Sequence, residues 1–246
     1  MSGTPAAVIG KTLVIADSHL GIELALRRRG ILVGVQWPKV AKEVNALLKQ
    51  TKASRLIILG DAKHDVYGFE AREKLMMEDF FAALDTKDVT VIKGNHDGGI
   101  EQLAEIAVIP AEGCVEKIGG KTYGFAHGHA WPSPEVFGAD VLLTAHSHPV
   151  IEFRDPLGFR WAEPAWIMGE TKKNEERGSR KGQPFVMFPA FSKMSGGLPM
   201  NALRESEYLG PLLRNGIIDL DNADAVLTSG VKLGKIRHLK KMAARE

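Results

Sequence analysis

Cysteine is nearly missing: Cys114 stands alone in 246 residues. A disulfide within the chain is excluded, and a reducing, cytoplasmic setting is expected. No stretch approaches the roughly 20 apolar residues needed to span a bilayer, so a membrane is not among the expected partners. The N-terminus lacks the charged, apolar and small-residue succession of a signal peptide. Neither sign of charge dominates, since 32 Lys and Arg oppose 30 Asp and Glu for a formal net charge of +2. Bulk charge therefore draws no nucleic acid, and only local clustering could. With 44% hydrophobic and 25% charged residues, the chain has the composition of a soluble globular protein with a sizeable core, not of a disordered one. Domains run roughly 100–200 residues, and no Pro/Gly/Ser-rich linker divides this chain, so one domain over residues 1–246 is expected.

Short apolar runs alternate with helical patterns in the first half. Residues 12–16 (TLVIA), 55–59 (RLIIL) and 89–93 (VTVIK) read as strands. Residues 39–50, with Val40, Val44, Leu47 and Leu48, read as an amphipathic helix. So do residues 70–84, with Leu75, Met76, Phe80 and Leu84 on one face. This order predicts a parallel α/β sheet. The second half looks β-rich and antiparallel. It has a hairpin from 114–118 to 122–126 through Gly119-Gly120-Lys121, and short strands at 140–144, 150–153, 159–162 and 185–189. Two packed sheets with helices outside suit both halves. Residues 174–184 (NEERGSRKGQP) read as the most mobile loop.

Histidine is the informative residue. Of 8 histidines, all but His238 fall in short motifs beside Asp, Asn and Gly. Asp17-Ser18-His19 follows TLVIA, and Gly60-Asp61-Ala62-Lys63-His64 follows RLIIL. Gly94-Asn95-His96-Asp97 follows VTVIK, His127-Gly128-His129 follows TYGFA, and His146-Ser147-His148 follows DVLLTA. Strand C-terminal ends are where open α/β sheets place ligands, so the motifs can meet on one edge. Carboxylate, imidazole and amide oxygen together favour manganese, iron or zinc over a thiolate-selected metal. Asp17 and His19, like His146 and His148, have period-two spacing, which in an extended segment sends both side chains to one side. A single carboxylate, Asp61, can bridge two ions roughly 3.5–4 Å apart, and water activated between them is a nucleophile for phosphorus.

D-x-H, G-D-x-x-H, G-N-H-D, H-G and H-x-H in this order resemble the calcineurin-like metallophosphoesterases. That resemblance implies a four-layer α/β/β/α sandwich and two divalent ions, manganese first, with iron or zinc as alternatives. It implies that Asp17, His19, Asp61 and His148 hold one ion, and that Asp61, Asn95, His127 and His146 hold the other. His96 would protonate the leaving oxygen, oriented by Asp97. The G-D-x-x-H form, with His64 helping to orient the leaving group or phosphate, is similar to SbcD-type DNA repair nucleases. Phe188-Pro189-Ala190-Phe191 with Gly196-Gly197 resembles the compact archaeal SbcD-related phosphoesterases. The chain is also similar to the bacterial ligase-associated manganese phosphodiesterases. These groups imply phosphodiester cleavage in nucleic acid and a helicase or repair partner. The stretch after His148 is too short for the capping and ATPase-binding segments of SbcD-type nucleases, so ATPase-driven duplex-end processing is not expected.

Candidate substrate contacts are His129, Arg27, Arg28, Lys63 and Lys93, with an exposed loop position the simpler expectation for the two lysines. His129 equally suits a metal ligand or a place behind the ligand His127. Basic residues crowd 172–181 and a tail at 232–246, where phosphate contacts would make binding salt-dependent. Trp131, Phe191 and Trp161 are candidates for stacking on bases, with core packing the simpler expectation for Trp161. The expected reaction is cleavage of single-stranded DNA or RNA. The competing readings are hydrolysis of a small phosphodiester such as a cyclic nucleotide, and a metal-free scaffold of the same fold.

Overall fold

The computed structural model describes residues 3–66, 69 and 71–243. Five strands, β1 (Ala7–Ile9), β2 (Thr12–Ile15), β3 (Arg55–Leu59), β4 (Val89–Ile92) and β5 (Ala107–Ile109), form the first sheet in that spatial order. β1 runs antiparallel to β2, and the other neighbours are parallel. Parallel neighbours need crossovers. Helices α1 (Ile22–Arg28) and α2 (Trp37–Thr51) supply the first, and α3 (Ala71–Ala82) supplies the second.

Both faces of this sheet are covered, which is why its strands read as unbroken apolar runs. Leu13, Ile15, Leu56 and Ile58 pack against Ala41, Val44 and Leu48 of α2 and Met77 and Phe80 of α3. Each such side chain contributes about 1.5–3 kcal/mol by leaving water. Met76, Phe80 and Leu84, four residues apart, are buried as the pattern predicts, but Leu75 is 59% exposed. The 100° step of a helix turns Leu75 away from the face centred on Phe80, and Met77 and Phe81 take its place in the core.

The second sheet contains β6 (Cys114–Ile118), β7 (Lys121–Phe125), β8 (Val141–Thr144), β9 (Pro149–Arg154), β10 (Arg160–Glu170), β11 (Pro184–Met187) and β12 (Leu198–Pro199). Their order is β12-β9-β10-β11-β8-β7-β6. β13 (Asp224–Leu227) pairs with β10, and β14 (Lys232–Lys235) with β13. The sheet is mixed rather than antiparallel: β7–β8, β8–β11 and β9–β12 are parallel pairs. Side-chain alternation reports which face is buried and carries no information on strand direction. The chain passes through α4 (Pro134–Gly138) between β7 and β8, and through the β9–β10 excursion between β8 and β11. β10 also extends far past the expected 159–162. Its exposed first half pairs with β9 and its buried second half with β11 and β13.

Between the sheets lie Val14, Ile57, Leu59 and Ile92 from the first and Phe125, Leu143, Trp166 and Phe188 from the second. The outer face of the second sheet takes Leu212 and Leu213 of α5 (Gly210–Arg214) and Ile236 of α6 (Ile236–Ala243) against Ile167 and Phe185. The layers are therefore α/β/β/α.

Two expected flexible segments are built into this frame. In 174–184, Asn174 caps a turn by accepting from the Arg177 N–H, Ser179 and Gln183 are buried, and Arg180 donates to the Ala139 carbonyl at 2.8 Å. The expected tail from 232 is a strand and a helix. Ile236 is buried, Lys235 pairs with Asp224 at 2.7 Å, and Lys240 pairs with Asp221 at 2.9 Å. Arg245 lies outside the described residues. No helix among the described residues is long and apolar enough to cross a membrane.

Candidate metal centre

The loops leaving β2 and β3 continue side by side beyond the strands. Asp17 N–H donates to the Gly60 carbonyl (3.0 Å), His19 N–H to Asp61 (2.9 Å), and Leu20 N–H to Ala62 (2.9 Å). Two sequence motifs are thereby zipped together by backbone alone. From the second sheet, Ala126 N–H donates to Leu143 (3.1 Å) and Ala145 N–H to His127 (2.9 Å), which brings the loops after β7 and β8 to the same edge.

Five of the six non-glycine residues with left-handed backbone among the described residues belong to these loops. Asp17, His19, Asp61, His146 and His148 have φ from 41° to 71°, and the sixth, Lys52, caps α2. Such conformations cost about 1–3 kcal/mol each and collect at functional sites. The period-two spacing of Asp17 with His19, and of His146 with His148, is thus not that of an extended segment. Each pair is turned toward the centre through left-handed residues. The glycines of the motifs make room for it. A Cβ on Gly60, itself left-handed at φ 79°, would strike the His127 ring, and one on Gly94 would strike the Asp61 carboxylate.

Donor atoms of Asp17, His19, Asp61 and His148 lie within 4.8 Å of one another, and so do those of Asp61, His127 and His146. Asp61 belongs to both groups. Its Oδ2 stands 3.8 Å from Nε2 of His19 and 3.7 Å from Nε2 of His127. Nε2 of His19 and His148 approach to 3.1 Å. With ligand bonds of roughly 2.0–2.2 Å, donors on one ion stand about 3–4 Å apart. The spacing and the oxygen/nitrogen donor set both fit a pair of divalent cations sharing a carboxylate.

The electrostatics fit as well. Burial pushes Asp17 upward, but His148 and His127 beside it pull it far below the usual carboxylate range. Asp61 is pushed up to about 6, chiefly by burial, with His127 opposing. Burial alone would discharge His127 and His148, yet Asp61 and Asp17 for the former, and Asp17 for the latter, raise both. Burial takes His19 and His146 down to about 3. Two carboxylates removed from water demand compensating positive charge, and the neutral imidazoles are in the form that binds metal.

His96 donates its backbone N–H to Asp61 Oδ1 at 2.9 Å, and its ring Nε2 lies 3.8 Å from Asp61 Oδ2. Asp97 does not orient that ring. It is buried, accepting from the N–H groups of Gly94 (2.8 Å) and Lys63 (3.3 Å), so it braces the G-N-H-D loop against the G-D-x-x-H loop. The His96 ring is held instead through Nδ1 by the His64 carbonyl. A carbonyl only accepts, so Nδ1 carries a hydrogen, and Nε2 can give a proton only from the imidazolium form. The His64 ring stacks on His96 with centroids 5.6 Å apart, and its Nδ1 meets Nδ1 of His19 at 3.3 Å. Burial and the neighbouring His96 bring His64 down to about 4.

His129 backs His127 through Nδ1–Nδ1 contact at 2.9 Å, and burial lowers it to about 4. It lines a cavity with Lys93 and the exposed Asn95, beside the His127 and His146 group. Lys93 is paired with Glu101. Lys63, expected as a substrate contact or an exposed loop lysine, is neither: it is 0% exposed, pairs with Glu73 at 3.6 Å and donates to the Asp65 carbonyl. Arg27 and Arg28, at the end of α1, are exposed on a cavity beside His64. Of the aromatic candidates, Phe191 is core and Trp131 lies under the Arg177 guanidinium. Trp161 is 42% exposed and stacked on Phe153, where core packing was expected.

Several supports left no chemical signature in the sequence. Phe191 N–H donates to Ala16 (2.8 Å) and Ser192 N–H to Asp17 (3.1 Å), while Leu198 N–H donates to His148 (3.2 Å). The segment after β11 therefore clasps both ends of the first ligand group through main-chain bonds, which any residue but proline can make. Thr144 Oγ1 donates to the His127 carbonyl at 3.2 Å.

The family model of the calcineurin-like phosphoesterases matches residues 10–150, which include every motif loop described above. No curated protein matches the sequence. Among solved structures, the chain is similar to the nuclease MPE of Pseudomonas putida, with 19% identity, a TM-score of 0.51, and coverage of 89% of this chain and 85% of that one. It is also similar to Yfce, a phosphoesterase of E. coli, with 15% identity, a TM-score of 0.43, and coverage of 91% and 97%.

Proposed function

The chain belongs to the calcineurin-like phosphoesterases, metal-dependent hydrolases, and from that premise we propose that it cleaves phosphodiester bonds in nucleic acid, single strands in preference to duplexes. The observation that carries this reading is the pair of ligand groups joined at Asp61, with His96 at their rim. The Pseudomonas putida protein of this fold is named a nuclease, and the proposal extends that substrate class to this chain. Asp17, His19, Asp61 and His127 are all buried. A scissile phosphate must descend between loops to reach them, which an unstacked strand does more readily than a duplex.

In this reading Asp17, His19, Asp61 and His148 hold one ion, and Asp61, Asn95, His127 and His146 the other. The donor set suits manganese, iron or zinc, and the resemblance to the manganese phosphodiesterases puts manganese first. When bound, such a pair polarises phosphoryl oxygens and lowers the pKa of the attacking water. His96 protonates the departing O3′ or O5′ from Nε2, its ring angle fixed by the His64 carbonyl. His64 holds His19 in place from behind. His129 does the same for His127, as partners of ligating imidazoles do. Lys93, paired with Glu101, and Arg27 and Arg28, at the opposite cavity, contact the strand outside the scissile phosphate.

A manganese-dependent activity panel with single-stranded, duplex and cyclic substrates tests the proposal. Single strands should be cut fastest, with binding that weakens as salt rises because Lys and Arg displace counterions. Cyclic nucleotides turned over far faster than any oligonucleotide, without a salt effect, would replace the nuclease with a small-molecule phosphodiesterase.

A further inference from the structure

Between the end of α1 and the first turn of α3 lies a cavity of about 210 Å³ lined by Arg27, Arg28, His64, Asp65, Arg72 and Glu73. That is several times the roughly 30 Å³ of one water. No member of the two ligand groups lines it. His64 lines it, and the same ring is stacked on His96, the proposed proton donor.

The charges in this cavity do not cancel. Arg28 is taken up by Asp65 at 2.9 Å, and Glu73 by the buried Lys63 at 3.6 Å. Arg27 and Arg72 are exposed and have no carboxylate partner among the described residues. Two guanidinium groups thus face the cavity from separate helices, with both acids already committed. A guanidinium presents a planar fork that matches phosphate oxygens two at a time. The anchored Arg28–Asp65 pair gives the cavity a fixed wall.

We infer that this cavity is a phosphate subsite for the nucleotide on the leaving-group side of the scissile bond. The inference rests on the nucleic-acid reading above and on the place of His96 in it. The oxygen that His96 protonates lies against that ring, and the path from it into the cavity passes over His64. The departing nucleoside spans that step and sets its next phosphate between Arg27 and Arg72. A leaving group without a further phosphate, such as a nitrophenol, gains nothing from the cavity. The enzyme should therefore favour substrates that extend past the scissile bond in one direction only.

Three substrates test this with the manganese-loaded full chain: the dithymidine dinucleotide, the same dinucleotide with a 5′ terminal phosphate, and the same with a 3′ terminal phosphate. One added phosphate falls on the departing nucleoside whichever oxygen leaves. The native chain should prefer one of the two phosphorylated forms over the plain dinucleotide by about tenfold in kcat/KM, the low end of what hydrogen bonds to a charged group contribute. In Arg72→Glu and in Arg27→Glu, on different helices and both at exposed positions, that ratio should fall to about one. Arg72→Lys should keep part of it. A native chain that prefers neither form, or a preference that survives both charge reversals, overturns the subsite and leaves the nuclease reading standing. If no dinucleotide or longer strand is cut while a cyclic nucleotide is, the nuclease reading falls and takes the subsite with it.

Discussion

The Asp17, His19, Asp61 and His148 group has His64 beside His19, and His64 lines a cavity with two uncommitted arginines. The Asp61, His127 and His146 group is backed by His129 and Thr144. It borders a wider cavity of about 470 Å³ whose lysine, Lys93, is already paired with Glu101. The two groups share a carboxylate but not a setting. The first has His96, the proposed proton donor, and spare positive charge beside it, and the second has supports and a paired rim lysine. In the proposed reaction, the difference puts departure of the leaving group on the first side and rigid positioning on the second.

Removing the shared member should have the largest effect, because it collapses the comparison. Asp61→Ala takes a donor from both groups, so activity should fall by more than the roughly 10²–10⁴-fold typical of losing a proton donor. Steady-state rates with and without excess manganese check this. Recovery of activity at high manganese would mean that Asp61 serves one group only.

His96→Ala tests the outward side alone. It should retain metal yet lose about 10²–10⁴-fold on an oligonucleotide. The loss should be far smaller on a nitrophenyl diester, whose leaving group needs no proton. Equal losses on the two substrates would remove His96 from that role.

His129→Ala tests the supported side. Partners of ligating imidazoles are typically worth about 10–100-fold in metal affinity or activity. Limiting manganese should therefore fill one site in this variant where the native chain fills two. Unchanged affinity at both sites would make His129 a surface residue of the wider cavity and nothing more.

The smallest effect on chemistry, though not on folding, should come from Glu73→Gln. It removes the Glu73 carboxylate that faces the wholly buried Lys63 at 3.6 Å. Breaking a buried pair costs about 3–5 kcal/mol of stability. Chemical denaturation should show that loss, while the double change Lys63→Met with Glu73→Leu should recover most of it.

The legible parts of the molecule are those where a side chain carries the signal. The strands before Asp17, Asp61 and His96 are apolar on both faces, so their runs mark them. Their motif residues stand at the strand ends where an α/β sheet presents ligands, so the ligand groups were readable as chemistry. The illegible parts depend on geometry that side chains do not report. Left-handed turns at Asp17 and His148 look in sequence like strand spacing. The main-chain clasp from Phe191, Ser192 and Leu198 uses N–H groups that any residue but proline carries, so only Gly197, where a Cβ would strike the His148 carbonyl, marks it. β10 hides because its first half is exposed and ends in Pro164 while its second half is core. Lys63 reads as a loop lysine, since only the fold reveals Glu73 beside it. Asp97, next to His96 in sequence, is aimed the other way, at the N–H groups of Gly94 and Lys63.

The central claim is that one carboxylate joins two metal-binding groups. The most direct measurement is elemental analysis of the chain, stripped with chelator, reloaded with manganese and freed of excess ion, alongside Asp61→Ala treated the same way. The account predicts two ions per native chain and a loss at both positions in the variant. One ion or none in the native chain, or two retained in the variant, would contradict it.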